Sequence, residues 1–215
     1  MLDTYVATEI LEVLAPSFLA ENIQKGKSML INRKGEAVFS ALLSIRDDGT
    51  LPGGSATSPF DGEGSPHQNN LMVADGRLLS YLYDNHAGRK DGVRSTGNCA
   101  RGGIKHPPRM GITNFFVENG TARFADLVAG IDRGMLITDV MGMHTANAIT
   151  GDFSVGAAGY LIEEGMVTSP IKGVAISGNI LDLFRDVEMV ADDLRFYGSV
   201  GSPSLKIKAI DISGH

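Results

Sequence analysis

The 215-residue chain has no tryptophan, a single cysteine and no run of lysine or arginine, and each scarcity removes a class of protein. One thiol, Cys99, cannot close an internal disulfide, which fits a reducing compartment rather than a disulfide-stapled secreted domain. A formal net charge of −6 and an isoelectric point near 5.3 supply no electrostatic footprint for a phosphate backbone, so nucleic acid is a poor partner. No segment approaches the roughly 20 apolar residues of a membrane span, and residues 1–6 lack a basic region followed by an apolar one. The expectation is a cytoplasmic protein with no membrane partner. A phosphate-cradling Gly-x-x-x-x-Gly-Lys-Ser/Thr is also missing, and the Gly-x-Gly of Gly62 and Gly64 lacks a third glycine and sits in a proline-rich stretch.

What is present is an ordinary globular composition, 43% hydrophobic and 20% charged, with enough length to bury a core. The 27 glycines predict many turns and therefore many short strands rather than a helix bundle. Residues 2–14 carry a helical apolar stripe, Leu2, Tyr5, Val6, Ile10, Val13 and Leu14, with Asp3 near its start and Pro16 past its end. Residues 18–25 predict a second short helix, with Ser17 at the cap position and Gly26 closing it. The character then changes. Short apolar runs at 29–31, 41–45, 71–73, 78–83, 112–118, 135–140, 174–176, 188–190 and 194–197 predict strands, and Asp75-Gly76 and Glu164-Gly165 predict hairpin turns. Residues 84–92 and 123–132 predict short helices, and Asn179 caps another holding Leu181, Leu183 and Phe184. In 205–212 the inward parity flips near Ala209, which predicts a bulge or a change of packing partner. Two long loops are expected at 51–69 and 95–111, and a third, rich in glycine and small polar residues, over the first half of 142–165, feeding an apolar strand at 160–162 that forms a hairpin with 166–167.

The third loop carries His144, Asn147, Asp152 and Ser154, either as a substrate-facing surface or as a packed connection. No two of His67, His86, His106, His144 and Cys99 have the close spacing that puts two metal ligands on one helix face or in one knuckle. A site assembled from distant residues stays open. Cys99 could pair with His106 or His144 as nucleophile and base, with Arg94 and Arg101 lowering its pKa, or be a small residue in a glycine-rich loop. The acidic doublets Asp47-Asp48 and Asp192-Asp193 read as solvated turns.

Several segments stand out in order: residues 42–48 followed by Leu51-Pro-Gly-Gly, then Ser58-Pro-Phe-Asp-Gly-Glu-Gly, Ser95-Thr-Gly-Asn, Thr113-Asn-Phe-Phe, Thr150-Gly-Asp-Phe-Ser, Gly159-Tyr-Leu-Ile-Glu-Glu-Gly, Pro170-Ile-Lys-Gly-Val, and Gly178-Asn through Asp192-Asp-Leu. Together they resemble the TldD/PmbA proteins (PmbA is also called TldE), described as modulators of DNA gyrase and as peptidase subunits. The resemblance covers nearly the whole chain and corresponds to the C-terminal half of the family's longer members. It implies an α+β, β-rich fold, with mostly antiparallel, barrel-like sheets and a few short helices. Residues 1–26 would be the remnant of the region that carries the zinc motif in TldD-type chains, and 27–215 the β-rich domain.

TldD-type chains carry His-Glu-x-x-x-His on a helix and a cysteine near the C-terminus, which hold zinc. Here Thr8-Glu9-Ile10-Leu11-Glu12-Val13 stands at that motif, and no cysteine lies near the C-terminus. The resemblance therefore implies the PmbA (TldE) type: no catalytic residue, no metal or cofactor of its own, and zinc only in a TldD-type partner. Such a subunit would pair with that partner, or with itself as a dimer, and help bind extended, unfolded or leader peptides for degradation or maturation. Asn98, Arg101, His144, Asn147, Thr150, Asp152, Phe153 and Ser154 are the peptide-cleft candidates. An independent hydrolase, based on Cys99 or on a metal, and a homo-oligomeric peptide-binding module without catalysis are the alternatives.

Overall fold

The computed structural model describes residues 1–103 and 105–214. Helix α1 (Thr4–Leu14) forms where the sequence predicts it. The Asp3 carboxylate accepts from the Val6 amide at 2.8 Å, and Val6, Ala7, Ile10, Leu11 and Leu14 turn into the core. Pro16 ends it in a single 3₁₀ turn, Ala15–Phe18, before α2 (Ala20–Gln24). The second predicted helix is thus split. Ser17 is buried inside the 3₁₀ turn and does not cap α2, because the extended residue before that helix is Leu19.

The next elements are β1 (Ile45–Asp48), β2 (Asn69–Ala74), β3 (Arg77–Leu78), α3 (Asn85–Asp91), β4 (Cys99–Ala100), β5 (Arg109–Met110) and β6 (Phe115–Val117). The chain continues through α4 (Phe124–Ala129), β7 (Arg133–Met141), a 3₁₀ turn at Met143–Thr145, β8 (Asp152–Glu163), β9 (Met166–Asn179) and α5 (Ile180–Arg185). It closes with β10 (Val187–Val190), β11 (Arg195–Tyr197), β12 (Val200–Ser202), β13 (Leu205–Ile207) and β14 (Asp211–Ser213). Both predicted hairpin turns are present, with Asp75 and Glu164 held at positive φ. The predicted strands at 29–31 and 41–44 are turns instead, and the strand begins at Ile45 and runs through the aspartates expected to end it.

One sheet has the order β11-β12-β6-β1-β2-β3 and another β14-β9-β8-β7, while β10 pairs with β13. Among these strands pairing is antiparallel except at β12, which lies parallel to β6. The expected β-rich, mostly antiparallel α+β fold is the one observed. A single core joins Val6, Ile10 and Leu14 of α1 to Ile45, Phe115, Ile137, Val155, Ile176, Phe184 and Leu205, so residues 1–26 are built into the same interior as the strands. The parity break near Ala209 is a change of partner, since β13 pairs with β10 and β14 with β9. Among the described residues no helix is long and apolar enough to cross a membrane.

Candidate functional site

The exposed arc of α1 is narrow. Tyr5, Glu9 and Glu12 share it, and Thr8 and Val13, about 140° apart at 3.6 residues per turn, flank it. Thr8 is 1% exposed and donates its hydroxyl hydrogen to Thr4 O at 2.7 Å, while Val13 offers no donor atom. These two positions do not fit a zinc ion, which needs imidazole, thiolate or carboxylate ligands there. Among the described residues, no group of three or more His, Cys, Asp or Glu side chains is placed to hold a metal.

The arc is instead acidic and aromatic. The Tyr5 phenol is held above its usual range by the Glu9 charge, then by burial and by Asp139 and Glu12. Glu12 is raised by burial and then by Glu9. The Tyr5 and Tyr197 rings meet edge-on at 5.3 Å, the Tyr197 hydroxyl lies 3.0 Å from Thr4 Oγ1, and Arg195 stacks over the Tyr197 ring at 5.5 Å. Strands β7, β11 and β12 and the 3₁₀ turn at Met143–Thr145 all pack against α1. That turn carries His144 to an exposed position beside the helix.

The glycine-rich stretch divides in two. Only 142–151 is loop; from Asp152 the chain is strand β8, because Phe153, Val155 and Ala157 alternate into the core. Asn147 Oδ1 accepts from the amides of Ile149 and Thr150, and Thr150 Oγ1 donates to Asp152 Oδ2 at 2.7 Å. Asn179 Nδ2 donates to Asp152 Oδ1 at 2.9 Å and to Thr150 O at 2.8 Å, and this bond, ahead of the Thr150 one, holds the Asp152 carboxyl below its usual range. At Gly151 φ is +86°, a conformation glycine adopts freely, and an added Cβ would also have to displace the Met29 thioether, 2.6 Å away. His144, Asn147, Thr150, Asp152 and Ser154 thus share one exposed rim, whereas Phe153 is a core residue.

Asn98 and Arg101 belong to a different assembly, which the two long loops build against β1 and β6. Asp47, with no exposed surface, accepts from Thr113 N at 2.6 Å, Thr113 Oγ1 at 2.9 Å and Asn98 Nδ2 at 2.6 Å. Burial pushes its pKa up to about 6 against the pull of those donors. Asn114, equally buried, donates to Asp48 O at 2.7 Å and accepts from Ala56 N at 3.0 Å. Asp61 accepts from Glu63 N and Ser65 N and, through its other oxygen, from Cys99 N at 3.2 Å. A cavity of 340 Å³ opens here between Ser58, Phe60, His67, Cys99, Arg101 and Thr113. The expectation that Asp47-Asp48 is a solvated turn is therefore wrong, since both are buried acceptors. Strand parity was the available signal, because Ile45 and Asp47 share one face.

Neither expected base meets the thiol: among the described residues Cys99 Sγ is hydrogen-bonded to neither His106 nor His144, and its contact is with Ala100 O at 3.9 Å. The Cys99 thiol is pushed up to about 11 by burial, then by Glu63, Asp61 and Asp84, and Arg101 pulls it down least. The expected activation by neighbouring arginines is outweighed. Ser58 Oγ donates to Phe60 O at 2.8 Å and stands 3.5 Å from His67 Nδ1, so its proton points away from the imidazole.

Helix α1 packs on β7, β11 and β12, while the segments at 42–48, 58–64, 95–98 and 113–116 converge on one buried polar network. A family profile described as the PmbA/TldA metallopeptidase C-terminal domain matches residues 1–214, and the chain belongs to that family. A Haemophilus influenzae protein named metalloprotease PmbA homolog is 31% identical over 98% of this chain and 44% of its own length. The metalloprotease TldD homolog of the same organism is 32% identical over 89% of this chain and 42% of its own. A Thermotoga maritima crystal structure, described as a candidate modulator of a DNA gyrase, superposes with a TM-score of 0.91 at 35% identity, over 99% of this chain and 48% of that one. The chain therefore spans less than half the length of the relatives it matches. Overall identity is nearly equal to the two Haemophilus types and does not choose between them.

Proposed function

We propose that the chain is a metal-free PmbA (TldE)-type subunit of a TldD-type zinc peptidase complex in the cytoplasm, non-catalytic by itself. The observation that carries this reading is the chemistry of α1: a buried hydroxyl bonded to its own helix at Thr8 and a hydrocarbon at Val13. Glu9 keeps the place of a general base with no metal-bound water to act on. The subunit's part is to hold an extended peptide for a zinc-bearing partner to cleave, and the exposed rim of His144, Asn147, Thr150, Asp152 and Ser154 beside α1 supplies the polar contacts. Asn98 works inside the loop network, where its amide bridges Asp47 and Gly111, and Arg101 presents its charge at the mouth of the loop cavity.

The raised Cys99 thiol weighs against an independent cysteine hydrolase. The test is elemental analysis of protein purified without chelator or metal-affinity resin, paired with a peptide-hydrolysis assay with and without a TldD-type chain. Well under one zinc per chain, no hydrolysis alone and co-purification with the zinc chain are expected. About one zinc per chain, or hydrolysis by the isolated protein, would sink the reading.

A further inference from the structure

A cavity of 400 Å³ lies where α3, β5 and α2 meet, and it shares no lining residue with the exposed arc of α1 or with the 144–154 rim. Part of its lining is apolar, since Ala87 on α3 and Met110 on β5 are both buried in the main core. The rest carries charge of both signs. Glu21, Glu63 and Asp84 bring carboxylates to it, and Arg89 and Arg109 bring guanidinium groups.

These charges do not neutralise one another. Asp84 Oδ1 caps α3 by accepting from Ala87 N at 2.7 Å, and Glu63 Oε2 accepts from Asn85 N at 2.9 Å. Glu21 pairs with Lys25, four residues further on. Among the described residues neither arginine pairs with a carboxylate, and the second oxygens of Asp84 and Glu63 accept no hydrogen bond. The backbone keeps the two signs apart. Asp84 stands at the cap and Arg89 in the last turn of α3, five residues later, which is about 7.5 Å along the helix axis. Arg109 is set on β5 opposite Ala100, directly after two prolines whose rings stiffen its approach.

A ligand of one sign is poorly served here. The arginines attract a phosphate or an acidic side chain and the carboxylates repel it, and for a simple amine the two roles reverse. A molecule with an ammonium at one end and a carboxylate at the other meets both. Two residues of extended chain span about 7 Å, close to the separation of Asp84 and Arg89 along α3.

We propose that this cavity binds a free dipeptide-sized zwitterion, its carboxylate taken by Arg89 and Arg109 and its ammonium by Asp84 and Glu63. Charge-assisted bonds fix the two ends, and apolar side chains rest on Ala87 and Met110. A volume of 400 Å³ is within the range of small-molecule sites. The site uses no residue of α1 or of the 144–154 rim, so it stands or falls separately from the peptidase reading.

The probe is the dipeptide Ala-Leu, titrated into the full chain while the amide NMR signals of Ala87 and Met110 are followed. Saturable shifts with a dissociation constant of about 1 mM or below are expected, a modest affinity for a ligand of this size. Acetylating the amino end or amidating the carboxyl end each weakens binding by about tenfold, because each removes one charge-assisted contact. In Arg109→Gln most of the penalty for amidation disappears while that for acetylation stays, and Glu63→Gln does the reverse. No saturable shift at about 20 mM Ala-Leu, or equal binding of the blocked peptides, overturns the proposal. So does inorganic phosphate binding as tightly as Ala-Leu, which assigns an anion site, or free leucine doing so, which assigns a site for single amino acids. The wild-type titrations decide the matter even if a variant fails to fold.

Discussion

At the scale of single residues, the buried carboxylate of Asp47 makes the sharpest prediction. Its pKa moves from 3.8 in the unfolded chain to about 6 in the folded one. Between those values the folded state keeps a proton the unfolded state releases, so stability falls as pH rises through that window and the loss is complete above about pH 6. Two pKa units correspond to about 3 kcal/mol. Asp47→Asn therefore flattens the wild-type slope between pH 4 and 6 in urea unfolding, and an unchanged slope places the effect on another group. Cys99 follows the same logic with the opposite consequence. A thiol near 11 is roughly one part in a thousand thiolate at pH 8, so alkylation by iodoacetamide should run about a hundredfold slower than for a free cysteine. A fast reaction at pH 8 would contradict the acidic surroundings assigned to it.

At the scale of elements, the β7–β8–β9 sheet depends on its small residues. A Cβ at Gly159 would sit 1.9 Å from Leu136 O across the ladder, so Gly159→Ala forces β7 and β8 apart. Thermal unfolding should drop by several degrees, the effect of one to a few kcal/mol in a domain of this size. Asn179→Ala removes the cap on α5 and the tie to the 142–151 loop together, at about 1 to 2 kcal/mol. The helix α1, both hairpin turns and the partner switch near Ala209 were legible because each is written in local spacing. Strand β12 was not, since its three residues owe their place to β6, some eighty positions earlier. The 160–162 end of strand β8 was legible, but its first part was mistaken for loop because glycine, alanine and serine fill its outward face, although Phe153, Val155 and Ala157 kept the alternation. The site divided along the same line. The turn bonds of Asn147 and the missing ligands at Thr8 and Val13 lie in the sequence, whereas the separation of Asn98 and Arg101 from the 144–154 rim is tertiary.

At the scale of the whole molecule, the parallel neighbour in the six-stranded sheet has a temporal meaning. Strand β12 (Val200–Ser202) lies between β11 and β6, and Leu205 receives Leu2, so the first and last parts of the chain complete each other. The middle of that sheet stays unfinished while a ribosome is still making the chain, because β6 waits for residues near 200. Pairings this distant in sequence belong with slow folding, milliseconds to seconds, and stopped-flow refolding should fall in that range rather than in microseconds. Until its final stretch emerges, the nascent chain displays an open apolar strand edge at Phe115–Val117 to whatever chaperone stands at the tunnel exit.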